Sequence, residues 1–173
     1  MTQGSGMTIG DVVAAVESAR IHNVPAELVG LLRESNLPST IEGMFYTSPA
    51  VMFLPLEVNG VEYFTLGFNE KDVAGRYVTS QADGVFFLGC EMEFRFVNSR
   101  LNDFLRFLEG WHQFISAPAS RDIAGELDDD ALIEAGMNLK EALEEIDEAA
   151  FSDEETWWSH VFEEVELGTL GPL

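Results

Sequence analysis

Asn59-Gly60 constrains this chain more than any other pair of residues in it. The two central positions of a two-residue hairpin turn demand positive φ, which Asn and Gly tolerate with the least strain. Runs rich in apolar residues, 51–58 and 61–68, stand on either side. The pair therefore predicts an antiparallel hairpin in the middle of the chain. Residues 75–80 and 85–89, joined through Ala82-Asp83-Gly84, repeat the signal. Residues 91–97 then set Met92, Phe94 and Phe96 against Glu91, Glu93 and Arg95. That alternation is the period of a strand with one face buried and the other wet. Short strands in succession, linked by tight turns, predict an antiparallel meander.

Helical spacing flanks this region on both sides. Ile9, Val12, Val13 and Val16 share one side of a predicted helix over 9–19, and Pro25 opens a second over 26–33. Asn36-Leu37-Pro38-Ser39 ends that section. After the sheet, Asn98 and Ser99 are candidate caps, Asp103 suits the positive end of the helix dipole, and Leu101, Phe104, Leu105, Leu108, Trp111 and Ile115 form a wide apolar stripe. A polar connector, 116–130, leads to Leu132, Leu139, Leu143 and Ile146, with Gly136 predicted to break the helix and Asn138 with Glu141 to cap its second piece. A last helix is predicted from Ser152, with Glu155 completing a capping box, Trp158, Val161, Phe162 and Val165 on its apolar side, and Gly168 ending it. The predicted fold class is α+β: an antiparallel meander with N-terminal and C-terminal helices packed on it. A flexible tail, 1–8, precedes one domain over 9–173.

The 46% hydrophobic content supplies a core for such a domain, so a wholly disordered chain is excluded despite a net charge of −22. The charge is uneven. From Asp122 onward there are 17 acidic residues and one base, Lys140; the preceding part carries 14 acids and 8 bases. The acidity thus belongs mainly to the predicted helical section over 122–170. Such a field repels nucleic acid, anionic membranes and a second copy of the chain, and draws in basic partners. A single cysteine, Cys90, set in an apolar run, excludes an internal disulfide and any multi-cysteine zinc site. With neither a signal-peptide pattern nor an apolar run of about 20 residues, the expected location is the cytoplasm.

Catalytic patterns are missing. His22, His112 and His160 form no metal-binding pair at helical spacing, and there is no His-Glu-x-x-His, P-loop, Gly-x-Ser-x-Gly or dinucleotide fingerprint. Asp128-Asp129-Asp130 lacks the spaced ligands, central Gly and terminal Glu of a twelve-residue calcium loop. No catalytic residue, metal or cofactor is expected, and the chain reads as a binding protein.

Two segments carry a family likeness. Val85-Phe86-Phe87-Leu88 leads through Phe96-Val97-Asn98-Ser99 into a Leu/Phe-rich helix that includes Phe104, Leu105, Phe107 and Leu108. Later, Ile146-Asp147 is followed by a short bend and an acidic helix bearing Trp157-Trp158 and Val161 to Val165. Their order and spacing resemble the bacterial immunity proteins of the SUKH superfamily, its fourth subgroup, over residues 37–170. Glu148 stands where that pattern has proline, and Arg100 where it has a second small residue.

The resemblance implies a cytosolic antidote that binds a toxin of inter-bacterial conflict, a nuclease or nucleic-acid deaminase with a basic cleft. The partner-binding residues expected are Asp128, Asp129, Asp130, Glu141, Glu144, Glu145, Asp153, Glu154, Glu163 and Glu164, with Trp157 as the aromatic anchor and Trp158 in the core. The alternatives are a scaffold of the same fold for another cellular protein, an acidic mimic of nucleic acid, and a small hydrolase.

Overall fold

The computed structural model describes residues 15, 17, 19–20, 24–34, 39–41, 43–69, 75–80, 84–89, 93–118 and 129–171. The chain divides into two compact units, Met1–Leu105 and Arg106–Leu173.

The first unit is built on the predicted meander. Ala15, Glu17, Ala19 and Arg20 are helical, with both alanines buried; the rest of the predicted first helix and the 1–8 tail lie outside the described residues. Helix α1, Ala26–Glu34, follows Pro25 as expected. Among the described residues, seven strands then form one sheet: β1 (Thr40–Ile41), β2 (Phe45–Tyr46), β3 (Pro55–Val58), β4 (Val61–Phe68), β5 (Gly75–Ser80), β6 (Val85–Gly89) and β7 (Phe94–Asn98). Their order is β1-β2-β4-β5-β6-β7, with β3 also paired to β4, and every pairing is antiparallel. At two residues each, β1 and β2 are too short for any period to announce them.

The hairpin forms where Asn59-Gly60 places it. Val58 pairs with Val61, and the turn residues have φ of 52° and 80°. The strand before it is shorter than predicted, because residues 51–53 are a turn with Phe53 at φ 65°. The Phe53 N–H donates to Thr65 O at 2.6 Å, and the Thr65 N–H donates to Leu54 O at 3.0 Å. A regular strand points consecutive side chains to opposite faces. The turn lets both Met52 and Phe53 go into the core, where each is buried.

Cross-strand partners share a face, so Phe64 with Thr79, Tyr77 with Phe87, and Thr79 with Val85 define one face of the sheet, and all are buried. Phe104 closes this face, its ring 5.2 Å from Tyr77 and 5.9 Å from Phe45. The Tyr77 hydroxyl is satisfied by donating to Met44 O at 2.9 Å. The other face departs from the expectation for residues 91–97. Glu91 and Met92 lie outside the described residues, while Phe94 is 38% exposed and Phe96 only half-buried. Among the described residues, β7 ends the sheet with β6 as its single strand neighbour.

Helix α2, Leu101–Ser116, contains the boundary between the two units. Asn98 ends β7 and is buried, and the helix begins three residues later. The second unit continues with α3 (Asp129–Glu144), a short 3-10 turn (Glu148–Phe151) and α4 (Trp157–Glu166). Its core gathers Phe107, Trp111, Phe151, Trp158 and Phe162, with ring centroids 5.2 to 6.4 Å apart in the contacts that join them.

Gly136 does not break α3. It is buried against α4, and a Cβ there would collide with Val165 Cγ1, so the glycine is what lets two helices approach closely. The predicted Asn138 cap accordingly falls inside a continuous helix. The last helix also starts later than Ser152. Asp153 Oδ1 accepts the Glu155 N–H at 2.9 Å, which makes a turn of the expected first helical residues, and Thr156 takes the N-cap position. Gly168, at φ 66°, ends α4 as expected.

Candidate partner-binding surface

Burial fixes the rotation of α3. Gly136 and Leu143, seven residues apart, are its buried positions, and Leu139 between them lies along the same line. A residue two places earlier lies about 200° round the helix, roughly opposite. Glu134 and Glu141 occupy those positions. With Asp130, Met137 and Glu144 they repeat at intervals of four, three, four and three residues, the spacing of neighbours on one helix face. Asp130, Glu134, Glu141 and Glu144 are exposed, and Met137 is half-buried among them. Asp129 and Glu145 extend the acidic exposure at the two ends.

Like charges at these intervals destabilise a helix by about 0.2–0.5 kcal/mol per pair. Asp130, in the first turn, gains from the helix dipole, whereas Glu141 and Glu144 near the other end do not. The only base in this part of the sequence is turned away from the stripe: Lys140 Nζ reaches Glu166 Oε1 on α4 at 3.5 Å. A partly exposed pair of this kind contributes at most about 1 kcal/mol. It ties α3 to α4 and engages Glu166 rather than the carboxylates of the α3 stripe.

On α4 the buried positions are Trp158, Val161, Phe162 and Val165, and Glu163, Glu164 and Glu166 are exposed. Glu163 Oε2 lies 3.9 Å from His160 Nδ1. Before the helix, Asp153, Glu154 and Glu155 are all exposed, although one oxygen of Asp153 is occupied by the Glu155 N–H. Of the residues expected to meet a partner, Asp129, Asp130, Glu141, Glu144, Glu145, Asp153, Glu154, Glu163 and Glu164 are thus on the surface of the second unit. Asp128 lies outside the described residues.

The two tryptophans separate. Trp158 is in the core, 5.2 Å from the Phe107 ring and 6.3 Å from that of Trp111. Trp157 is half-buried at the first position of α4, with its Nε1 buried. Only part of its indole reaches the surface. Glu148, Glu155 and Glu166, within the acidic span expected to meet a partner, are exposed too, and Glu134 is an exposed acid that was not singled out from the sequence. The signal for Glu134 was present, four residues after Asp130 and seven before Glu141.

Among the described residues no group of three or more His, Cys, Asp or Glu is placed to hold a metal ion. No helix among them is long and apolar enough to cross a membrane. The chemistry this surface offers is a high density of carboxylates around a few apolar contacts. Comparison with curated proteins and with solved structures gives no match. Among protein-family models, the one described as SUKH-4 immunity protein matches residues 6–164.

Proposed function

The chain belongs to the SUKH-4 immunity protein family, and from that premise we propose that it binds a cognate toxin with a basic substrate cleft, a nuclease or nucleic-acid deaminase, and blocks it through the acidic face of α3 and α4. The observation that carries this reading is the exposed stripe Asp130, Glu134, Glu141 and Glu144, to which no ion pair is made among the described residues. A cleft that holds phosphates by Lys and Arg offers those same cations to carboxylates. Charge of this sign accelerates encounter and rejects partners of the wrong sign. The mode of action is stoichiometric occupation rather than catalysis, by a monomer in the cytoplasm that binds neither nucleic acid nor membrane.

The test is co-expression. The toxin gene encoded beside this one is placed under an inducible promoter, with and without this chain, and growth is followed. Growth arrest relieved only by co-expression, with a one-to-one complex on purification, is the expected result. A neighbour that is harmless alone, or whose toxicity this chain leaves unchanged, refutes the reading.

A further inference from the structure

The first unit carries a surface unlike the acidic one. On the face of the sheet opposite Tyr77 and Phe87, Tyr63 pairs with Ser80 across β4 and β5, and Phe86 with Phe96 across β6 and β7. The Phe86 ring packs close to the backbone of Gly84, where a Cβ would come within 3.1 Å of it. The Phe86 and Phe94 rings stack at 4.9 Å and 16°, and Tyr63 stands edge-on to both at 6.0 and 5.2 Å. Phe96 adds a fourth ring, 5.8 Å from Phe86. None of the four is buried, and Val61, two residues before Tyr63 on the same face, is 47% exposed.

We propose that this aromatic plate is a docking site for an Arg- or Lys-bearing segment of the basic partner protein. Ring faces carry negative quadrupole density, and a guanidinium or ammonium over a ring is attracted to it. The same unit already shows that contact, with the Arg76 guanidinium 5.4 Å from the centroid of the Phe68 ring. The first unit is itself acidic, with 13 Asp and Glu against 6 Lys and Arg over residues 1–105, and that charge selects the occupant further. It repels a second copy, and it repels the phosphates of a nucleic acid whose bases would otherwise stack on such rings. A cationic polypeptide satisfies both the rings and the field. Carboxylates mostly set association rate, whereas aromatic anchors withdrawn from water hold a complex together. The plate supplies that second ingredient, which the acidic face largely lacks.

This inference rests on the immunity reading for the identity of the partner, so the probe is the purified toxin domain encoded beside this gene, inactivated in its own active site. Binding kinetics are compared for the unaltered chain, F94A and F94L, with thermal unfolding as the control for folding. Phe94 is 38% exposed but stacks on Phe86, so F94A should melt somewhat lower and F94L close to the unaltered chain, both remaining folded at the assay temperature. F94A should weaken binding at least about tenfold, mainly through faster dissociation. F94L, which keeps apolar bulk but has no ring, should weaken it about two- to fivefold. F94A binding as tightly as the unaltered chain overturns the proposal and leaves the immunity reading standing. F94L binding as tightly overturns the cation–ring contact. Self-association of the unaltered chain in sedimentation, abolished by F94A, also overturns it, by seating a second copy on the plate. An unaltered chain that does not bind the toxin at all is the separate failure of the immunity reading.

Discussion

At the scale of single residues, position in the core decides what a side chain does. Trp157 and Trp158 are adjacent and chemically identical, yet Trp158 is enclosed by Phe107, Trp111 and Phe162 while Trp157 is half-exposed. Trp158→Ala should cost about 3–5 kcal/mol, and Trp157→Ala clearly less; urea unfolding of the two variants checks the order. Gly136 is the sharper case. Alanine is the better helix former by about 1 kcal/mol, but its methyl would strike Val165. Overpacking of that kind costs about 1–3 kcal/mol, so Gly136→Ala should lower the urea midpoint rather than raise it. The indole burial was half legible, since Trp158 falls in an apolar stripe. The role of Gly136 was not legible, because a close approach belongs to two helices and only one of them holds the glycine.

At the scale of elements, the hairpin and α3 differ in what they depend on. The β3–β4 turn is local: nothing lies within 4 Å of a Cβ at Gly60, so Gly60→Ala pays only for its positive φ. That penalty is about 1–2 kcal/mol, measurable as a shift in unfolding midpoint with the binding kinetics unchanged. Helix α3 depends on its neighbour for rotation, since Gly136 and Leu143 are its buried positions. Glu134→Lys with Glu141→Lys should leave stability equal or slightly higher, because two like-charged neighbourhoods are relieved. The same double variant should slow association with the toxin domain, with a weaker dependence on salt, as stopped-flow or surface kinetics would show. The helix boundaries were less readable than the helices themselves. Ser152 with Glu155 fits a capping box, but the Asp153 side chain takes the Glu155 N–H and moves the start to Trp157.

At the scale of the whole molecule the charge of −22 dominates. Self-repulsion among exposed carboxylates opposes folding, and salt screens it, with a Debye length of about 10 Å at 0.1 M. Raising sodium chloride from low to moderate concentration should therefore raise the thermal midpoint of the free chain while weakening the complex. Differential scanning fluorimetry and binding titrations over the same salt series check the two signs together.

The α+β class, the Asn59-Gly60 hairpin, the amphipathic helix beginning at Leu101 and the concentration of acid after Asp122 were determined by the sequence alone, because each depends on neighbours a few residues apart. The tertiary structure decided the rest. It kept α3 whole through Gly136, put Met52 and Phe53 into the core together, and aligned Asp130, Glu134, Glu141 and Glu144 opposite the buried line of α3. It also left Phe94 uncovered at the end of the sheet. Each of these outcomes depends on what lies across from a residue in space, and the period of a strand or helix records only that one side faces inward, not whether anything covers it.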